Sequence, residues 1–293
     1  MLNLKSLTPA EVPLIAEFLG RYPRVECDYN VCNLMTWGRI YDNRYLLWRD
    51  RMVFFNSKYS YVFFPVGPEP SVGELCELFN LFRAEYPETE LILVPESYWQ
   101  SHPELEIRFK VQDERPWADY IYSTERMVKL SGKKLAKKKN LISQFIRNHP
   151  DYKVMPISSE RGKVIVQFTE KWRRERSAEG IYLRAEAIAI QNTMEMWDQL
   201  PVEGIIICLH NRIAAYSIFS RQTSDMATVH FEKFDPDKKG SAQLINWETA
   251  KYLQGRYKWI NREQDIGLEG LRQAKLSYDP DFLVKFIVAK PLA

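Results

Sequence analysis

Apolar residues recur in two rhythms along this chain, and the changes of rhythm outline most of its elements. In the second half, Val164, Phe168 and Trp172 stand four apart within residues 161–176. Leu183, Ala187, Ile190, Met194 and Trp197 then follow at steps of three and four. Both spacings place one apolar stripe along a helix. Residues 152–157, 203–209, 213–219, 225–233, 257–260 and 282–289 are short β-like runs, with His210, Asn211 and Arg212 as a turn between the second and third. Ser241 is placed to cap a helix that runs to about Gln254, where Gly255 stops it, and residues 267–276 read as a further helix. The predicted order is β-α-α-β-β-β-α-β-α-β.

The first half repeats this order more loosely. Thr8 caps a helix with Pro9 in its first turn, and residues 29–37 read as a second helix. Strands follow at 45–48, 52–56 and 59–64. A Pro-Gly loop at 65–71 leads into a helix over 72–85, then a strand at 91–94, with 106–111 and 117–122 completing the half. Two similar halves in one chain predict an internal structural repeat. The expected lobes are 1–117 and 118–293.

Between the halves, residues 124–148 carry Arg126, Lys129, Arg147 and a run of five lysines, Lys133, Lys134, Lys137, Lys138 and Lys139, against Glu125 as the sole acid. The reading is a Lys-rich helix with Leu130, Leu135, Leu141, Ile142 and Phe145 on its apolar side. Such a patch suits a tRNA backbone or an anionic lipid headgroup, or is a solvated face. The net charge of +3 gives no whole-surface attraction, so any such binding is local.

Composition narrows the chemistry. The 45% hydrophobic content supports a sizeable core. Cys27, Cys32, Cys76 and Cys208 form no C-x-x-C pair, and with four histidines no metal motif or disulfide framework emerges, so no metal is expected. Met1 to Ser6 leads directly into the first helix without a signal-like apolar stretch, and no run approaches the roughly 20 residues of a membrane span. The expected location is cytoplasmic.

Three segments carry a family resemblance: residues 130–145; Val229-His230-Phe231-Glu232-Lys233; and the dense polar string from Ile260-Asn261-Arg262-Glu263-Gln264-Asp265 through Gly267, Gly270, Arg272 and Lys275 to Tyr278. In these, residues 120–285 resemble a bacterial family of unknown function related to the C-terminal domain of phosphatidylglycerol lysyltransferase. The resemblance implies an α/β fold of two tandem N-acyltransferase (GNAT) lobes, similar to the peptidoglycan-bridge aminoacyltransferases. It also implies acyl or aminoacyl transfer to an amine or hydroxyl, with a lipid or cell-envelope precursor among the acceptors. The donor is aminoacyl-tRNA or acyl-CoA, and no prosthetic group is expected. CoA-dependent members cradle a pyrophosphate in a glycine-rich loop at a helix N-terminus. Here that place reads Lys239-Gly240-Ser241, with one glycine, and the first half offers only Gly67 among prolines, which marks that lobe as degenerate.

The candidate site follows from residue types at strand ends, where ligands gather in open α/β sheets. Glu232 reads as a general base, or as the ion-pair partner of Lys233 or another basic neighbour. Arg262 suits two-point contact with a phosphate or carboxylate. Glu263 and Asp265 read as bases or amine ligands, or as loop and helix caps. Arg272 and Lys275 share a helix face that receives an anion or is solvated. Gly267 permits close backbone approach, and Tyr278 is core or site. The expectation is a site between the lobes lined by Glu232, Lys233, Asn261, Arg262, Glu263 and Asp265. The alternative is a non-catalytic protein that binds tRNA or anionic lipid through its lysines.

Overall fold

A computed structural model of the protein describes residues 2–175 and 181–292. They divide into two compact units, Met1–Ala118 with Val284–Ala293, and Asp119–Leu283. Each unit is built on a seven-stranded mixed sheet.

The first sheet contains β1 (Lys5–Ser6), β2 (Asn43–Trp48), β3 (Arg51–Asn56), β4 (Tyr61–Phe63), β5 (Glu90–Pro95), β6 (Phe109–Asp113) and β14 (Phe286–Pro291), in the order β1-β2-β3-β4-β5-β14-β6. Its helices are α1 (Val12–Arg21), α2 (Val31–Thr36), α3 (Gly38–Tyr41), α4 (Val72–Arg83), α5 (Glu96–Ser101) and α6 (Leu105–Arg108). Thr8 and Glu11 form a capping box before α1, and Ser71 and Glu74 form one at α4. One face of α4 is apolar, and Leu75, Phe79 and Phe82 bury against Phe55, Val62, Val94 and Ile287 of the sheet. Each such side chain contributes about 1.5–3 kcal/mol by leaving water.

The second sheet contains β7 (Asp119–Ser123), β8 (Lys153–Pro156), β9 (Val202–Leu209), β10 (Arg212–Arg221), β11 (Met226–Phe234), β12 (Trp259–Asn261) and β13 (Phe282–Val284), in the order β8-β9-β10-β11-β12-β7-β13. Its helices are α7 (Thr124–Lys129), α8 (Ala136–Asn148), α9 (Gly162–Glu175), α10 (Ile181–Glu195), α11 (Ser241–Leu253) and α12 (Glu269–Leu276). His210 and Asn211 take left-handed conformations in the two-residue turn between β9 and β10, as a tight hairpin requires. Small residues on one face of the sheet, Ala215 and Ala227, let α11 pack closely through Leu244, Ile245 and Ala250, with Phe145 of α8 in the same core.

The two sheets share a plan. In each, the fourth and fifth strands are parallel neighbours, β4 with β5 and β11 with β12. A parallel pair needs a crossover, and α4 and α11 supply it. In each, the sixth position is filled by a strand from beyond the sequential run, β14 in one and β7 in the other. The predicted internal repeat of two similar lobes is therefore the architecture observed. Among the described residues, no helix is long and apolar enough to cross a membrane.

Several expectations need correction. The apolar run 282–289 is two strands, β13 and β14, in different sheets, so the last ten residues, expected in the second lobe, lie in the first unit. The segment 117–122, expected to complete the first half, supplies β7 of the second sheet, and the segment 106–111 begins as α6 and continues as β6. The Lys-rich segment is not one helix. It breaks after α7 because Leu130 closes that helix in a left-handed conformation and Gly132 follows with φ 96°. Ser241 does not cap α11; Gly240 is the N-cap, and the serine hydroxyl donates to Asp235 O at 2.9 Å. The last residue of the helix expected over 161–176, Arg176, lies outside the described residues.

Candidate active site of the second unit

β11 and β12 pair over three residues, from Met226 opposite Trp259 to Thr228 opposite Asn261, and beyond that point they part: β11 continues against β10 to Phe234, while Arg262 N donates to Tyr120 O of β7. Just past the last pair, the register of β10 against β11 skips His230, since Ile218 faces Phe231 and Phe219 faces Val229. A bulge of this kind re-aims side chains. Residues two apart on a strand ordinarily share a face, but here His230 and Glu232 point to opposite faces.

On the α11 face, the Glu232 carboxylate accepts from Arg262 at 2.5 Å and from the Asn246 amide of α11 at 3.0 Å. The guanidinium lies against the rings of Tyr278 (5.0 Å) and Tyr122 (5.7 Å), and the Lys138 ammonium lies 4.4 Å from the centre of the Tyr278 ring. Burial works against the charge on Arg262, but Glu232 beside it outweighs that and holds the guanidinium above its ordinary value. Burial, and then the charges of Arg262 and Lys137, push Lys138 below the usual lysine value. Two cations and one carboxylate thus surround one buried tyrosine, a surplus of positive charge in a half-buried place.

Lys133, Lys137 and Lys139 are exposed, Lys134 pairs with Asp279 at 2.6 Å, and Lys138 donates to Ser277 Oγ at 2.7 Å. Lys137 to Lys139 fall in the first turn of α8, where the helix dipole already disfavours cations. Lys138 connects this basic end of α8 to the Glu232–Arg262 pair.

On the opposite face, Lys233 is 5% exposed, pairs with Glu186 of α10 at 2.7 Å and lies 4.4 Å from the Trp172 ring centre of α9. Lys233 and Glu232 are therefore not members of one site, because adjacent strand residues alternate faces.

Much of the polar string after β12 holds its own loop together. Asn261 donates to Asp119 at 2.7 Å and accepts the Glu263 N–H at 2.7 Å. Asp265, 0% exposed, accepts from the Arg272 guanidinium at 2.9 and 3.0 Å, from Tyr120 Oη at 2.6 Å and from Gly267 N at 2.9 Å. Burial pushes its carboxyl up, but those donors outweigh it and hold it well below the usual carboxylate range. Lys275 is buried and donates to Arg262 O, and the Tyr122 hydroxyl donates to Lys275 O. The Arg272–Lys275 face thus turns inward onto this loop rather than toward an external anion, and Gly267 serves the turn with φ 78°. Glu263 belongs to a different pair, with His230 Nδ1 at 2.9 Å.

The loop before α11 is closed by the protein itself. A Cβ on Gly240 would stand 2.5 Å from the Leu141 carbonyl oxygen of α8, and the residue has φ 93°, so only glycine fits. Lys239 beside it is exposed. Gly240→Ala should destabilise the unit by about 2 kcal/mol or more, read from chemical denaturation; an unchanged midpoint would contradict this packing. In the first unit, the Arg51 guanidinium takes up the corresponding loop, donating to Pro68 O, Glu69 O and Glu74.

His230, Ser220, Asn246 and Glu186 were not singled out from the sequence. His230 lies in a segment that carried the resemblance, but its role depends on a bulge that hydropathy does not encode.

The family model described as phosphatidylglycerol lysyltransferase, C-terminal, matches residues 20–289. A conserved protein of unknown function from Bacteroides thetaiotaomicron is 28% identical, with both chains fully covered and a TM-score of 0.92. The L-PGS of Bacillus licheniformis, 13% identical, covers 99% of this chain and 94% of its own at a TM-score of 0.68. FemX, 8% identical, covers 99% and 98% at 0.64. An uncharacterised protein of Mycoplasmoides gallisepticum is 21% identical over 173 residues, 59% of this chain and 56% of that relative's length. The match across most of the chain places this protein in the phosphatidylglycerol lysyltransferase C-terminal family, a family of transferases.

Proposed function

We propose that the protein is an aminoacyltransferase that takes its acyl group from aminoacyl-tRNA and delivers it to an amine or hydroxyl acceptor of the lipid or cell-envelope class. The observation that carries this reading is the Glu232–Arg262 pair at the parting of β11 and β12, joined through Lys138 and Tyr278 to the lysines of α8. The lysines and Arg262 receive donor phosphates. Arg262 exchanges Glu232 for that anion, which frees the carboxylate to take the acceptor's proton as the acceptor oxygen or nitrogen attacks the ester carbonyl. The acyl C–O bond breaks and the tRNA leaves with its terminal hydroxyl restored. The family and the folds of L-PGS and FemX support this donor class. The packing of Leu141 O and Phe145 against Gly240 counts against a CoA pyrophosphate at the start of α11.

Equilibrium binding and thermal shift with aminoacyl-tRNA, acetyl-CoA and a long-chain acyl-CoA test the donor. Binding of aminoacyl-tRNA alone is expected, weakening steeply with salt. Replacing exposed Lys133, Lys137 and Lys139 by glutamine should reduce the log–log salt slope by about 2 to 3. Tight binding of either CoA ester would overturn the donor assignment. The exposed lysines also favour a second reading, a tRNA- or anionic-lipid-binding protein without transfer, which salt-sensitive binding in the absence of any turnover would select.

A further inference from the structure

Face alternation along β10 puts Ser220 on the same side of the second sheet as Tyr216, whose hydroxyl meets Thr169 of α9 at 2.6 Å. His230, re-aimed by the bulge in β11, lies between Ser220 and Glu263. Its Nε2 is 2.8 Å from Ser220 Oγ and its Nδ1 is 2.9 Å from Glu263 Oε1. An ionised carboxylate only accepts, so Nδ1 carries the ring proton. In the neutral ring Nε2 then presents its lone pair, at hydrogen-bond distance from the Ser220 hydroxyl, which is able to donate to it. The Glu263 N–H bond to Asn261 Oδ1 holds the carboxylate's backbone, with φ 58°, in place. The ring side chain is 0% exposed, which keeps water from competing for either nitrogen.

Carboxylate, imidazole and serine in this order make a hydroxyl nucleophilic, and the constellation is recognised by geometry rather than by chain order. We propose that Ser220, His230 and Glu263 form an ester-cleaving site, with Ser220 as nucleophile, His230 as the base and acid, and Glu263 as the residue that orients the ring. Its substrate class is a carboxylic ester. The bond from Ser220 Oγ to the ester carbonyl carbon forms as the serine proton passes to Nε2. The C–O bond to the leaving alcohol then breaks, and the alcohol takes that proton. Water, losing its proton to Nε2, attacks the acyl-serine and releases the acid, and Ser220 Oγ recovers the proton. Ser220 is 2% exposed, but it is the penultimate residue of β10 and adjoins exposed Arg221, so Oγ lies one residue from the strand's end. This activity does not rest on the transfer reading, because Ser220→Ala removes it and leaves Glu232, Arg262 and Asn246 in place.

The test is labelling of the intact protein by a fluorophosphonate, whose phosphorus bonds to an activated serine oxygen as fluoride leaves. The adduct is mapped by mass spectrometry after digestion. The expected result is an adduct on Ser220, absent in Ser220→Ala and formed at least about a hundredfold more slowly in His230→Gln, with unfolding midpoints recorded for each variant. No adduct on Ser220 in the folded wild type, under conditions that fully label a known serine esterase, overturns the proposal. Equal labelling of folded His230→Gln overturns it too. The wild-type result decides the matter even where a variant fails to fold.

Discussion

Arg262→Ala is expected to lower kcat/KM for aminoacyl transfer by about 100- to 1000-fold, the loss typical when one preorganised charge is removed from a reacting group. The same change strands the Glu232 carboxylate, whose remaining donor here is Asn246. The two partners should separate kinetically. If Arg262 holds the donor's phosphates and releases Glu232, Arg262→Ala raises KM as well as lowering kcat. Glu232→Gln keeps the shape and the Asn246 contact but cannot take a proton, so it lowers kcat and leaves KM within a few fold. Arg262→Lys should rescue little, since a point charge on a flexible stem does not reproduce a planar guanidinium lying between Glu232 and two tyrosine rings. Equal and small effects from both residues would mean that the pair only holds the loop.

The second large effect is on stability. Asp265 is fully buried and accepts from Arg272, Tyr120 and Gly267 N, so Asp265→Asn puts an amide against donors that need an acceptor. Arg272 is partly exposed, which moderates the loss, and the expected cost is about 3 kcal/mol. For a unit of this size that corresponds to a fall of roughly 6–12 °C in Tm. The sign of the pH dependence follows from the lowered pKa. The folded protein holds Asp265 ionised below the unfolded value of about 3.9, so the stabilisation is complete above that pH and is lost as pH falls through the folded value. The gap in Tm between wild type and Asp265→Asn should therefore be constant from neutrality to about pH 5 and should narrow below about pH 4. A gap that does not change with pH would show that Asp265 contributes shape rather than charge.

Short apolar and β-branched runs made β9, β10, β11 and their turn legible, and the four-residue spacing did the same for α9. Hydropathy reports burial, not which sheet does the burying. That is why 282–289 read as one strand, although Lys285 separates β13 from β14 and the two join different sheets. Leu130 and Gly132, both at positive φ, break the basic segment, and a lysine count is blind to such a break because charge carries no backbone conformation. Polar residues converge at the strand end at 259–261, but residue type alone could not divide them. Asn261, Asp265, Arg272 and Lys275 satisfy one another and neighbouring backbone, while Glu232 and Arg262 hold a partly exposed pair. Lys233 could have been set apart from Glu232 in advance, since neighbours on a strand face opposite ways. The pairing of His230 with Ser220 and Glu263 could not, because it requires a skipped register and a contact across three strands.

The most direct test of the account follows label from donor to product. The wild-type protein is incubated with tRNA charged with a radiolabelled amino acid and with a lipid extract containing phosphatidylglycerol, and the organic phase is counted. The account predicts label in an ester- or amide-linked lipid product with wild type, and near-background label with Glu232→Gln. Label that leaves the tRNA without reaching any acceptor, or that transfers equally well with Glu232→Gln, would contradict it.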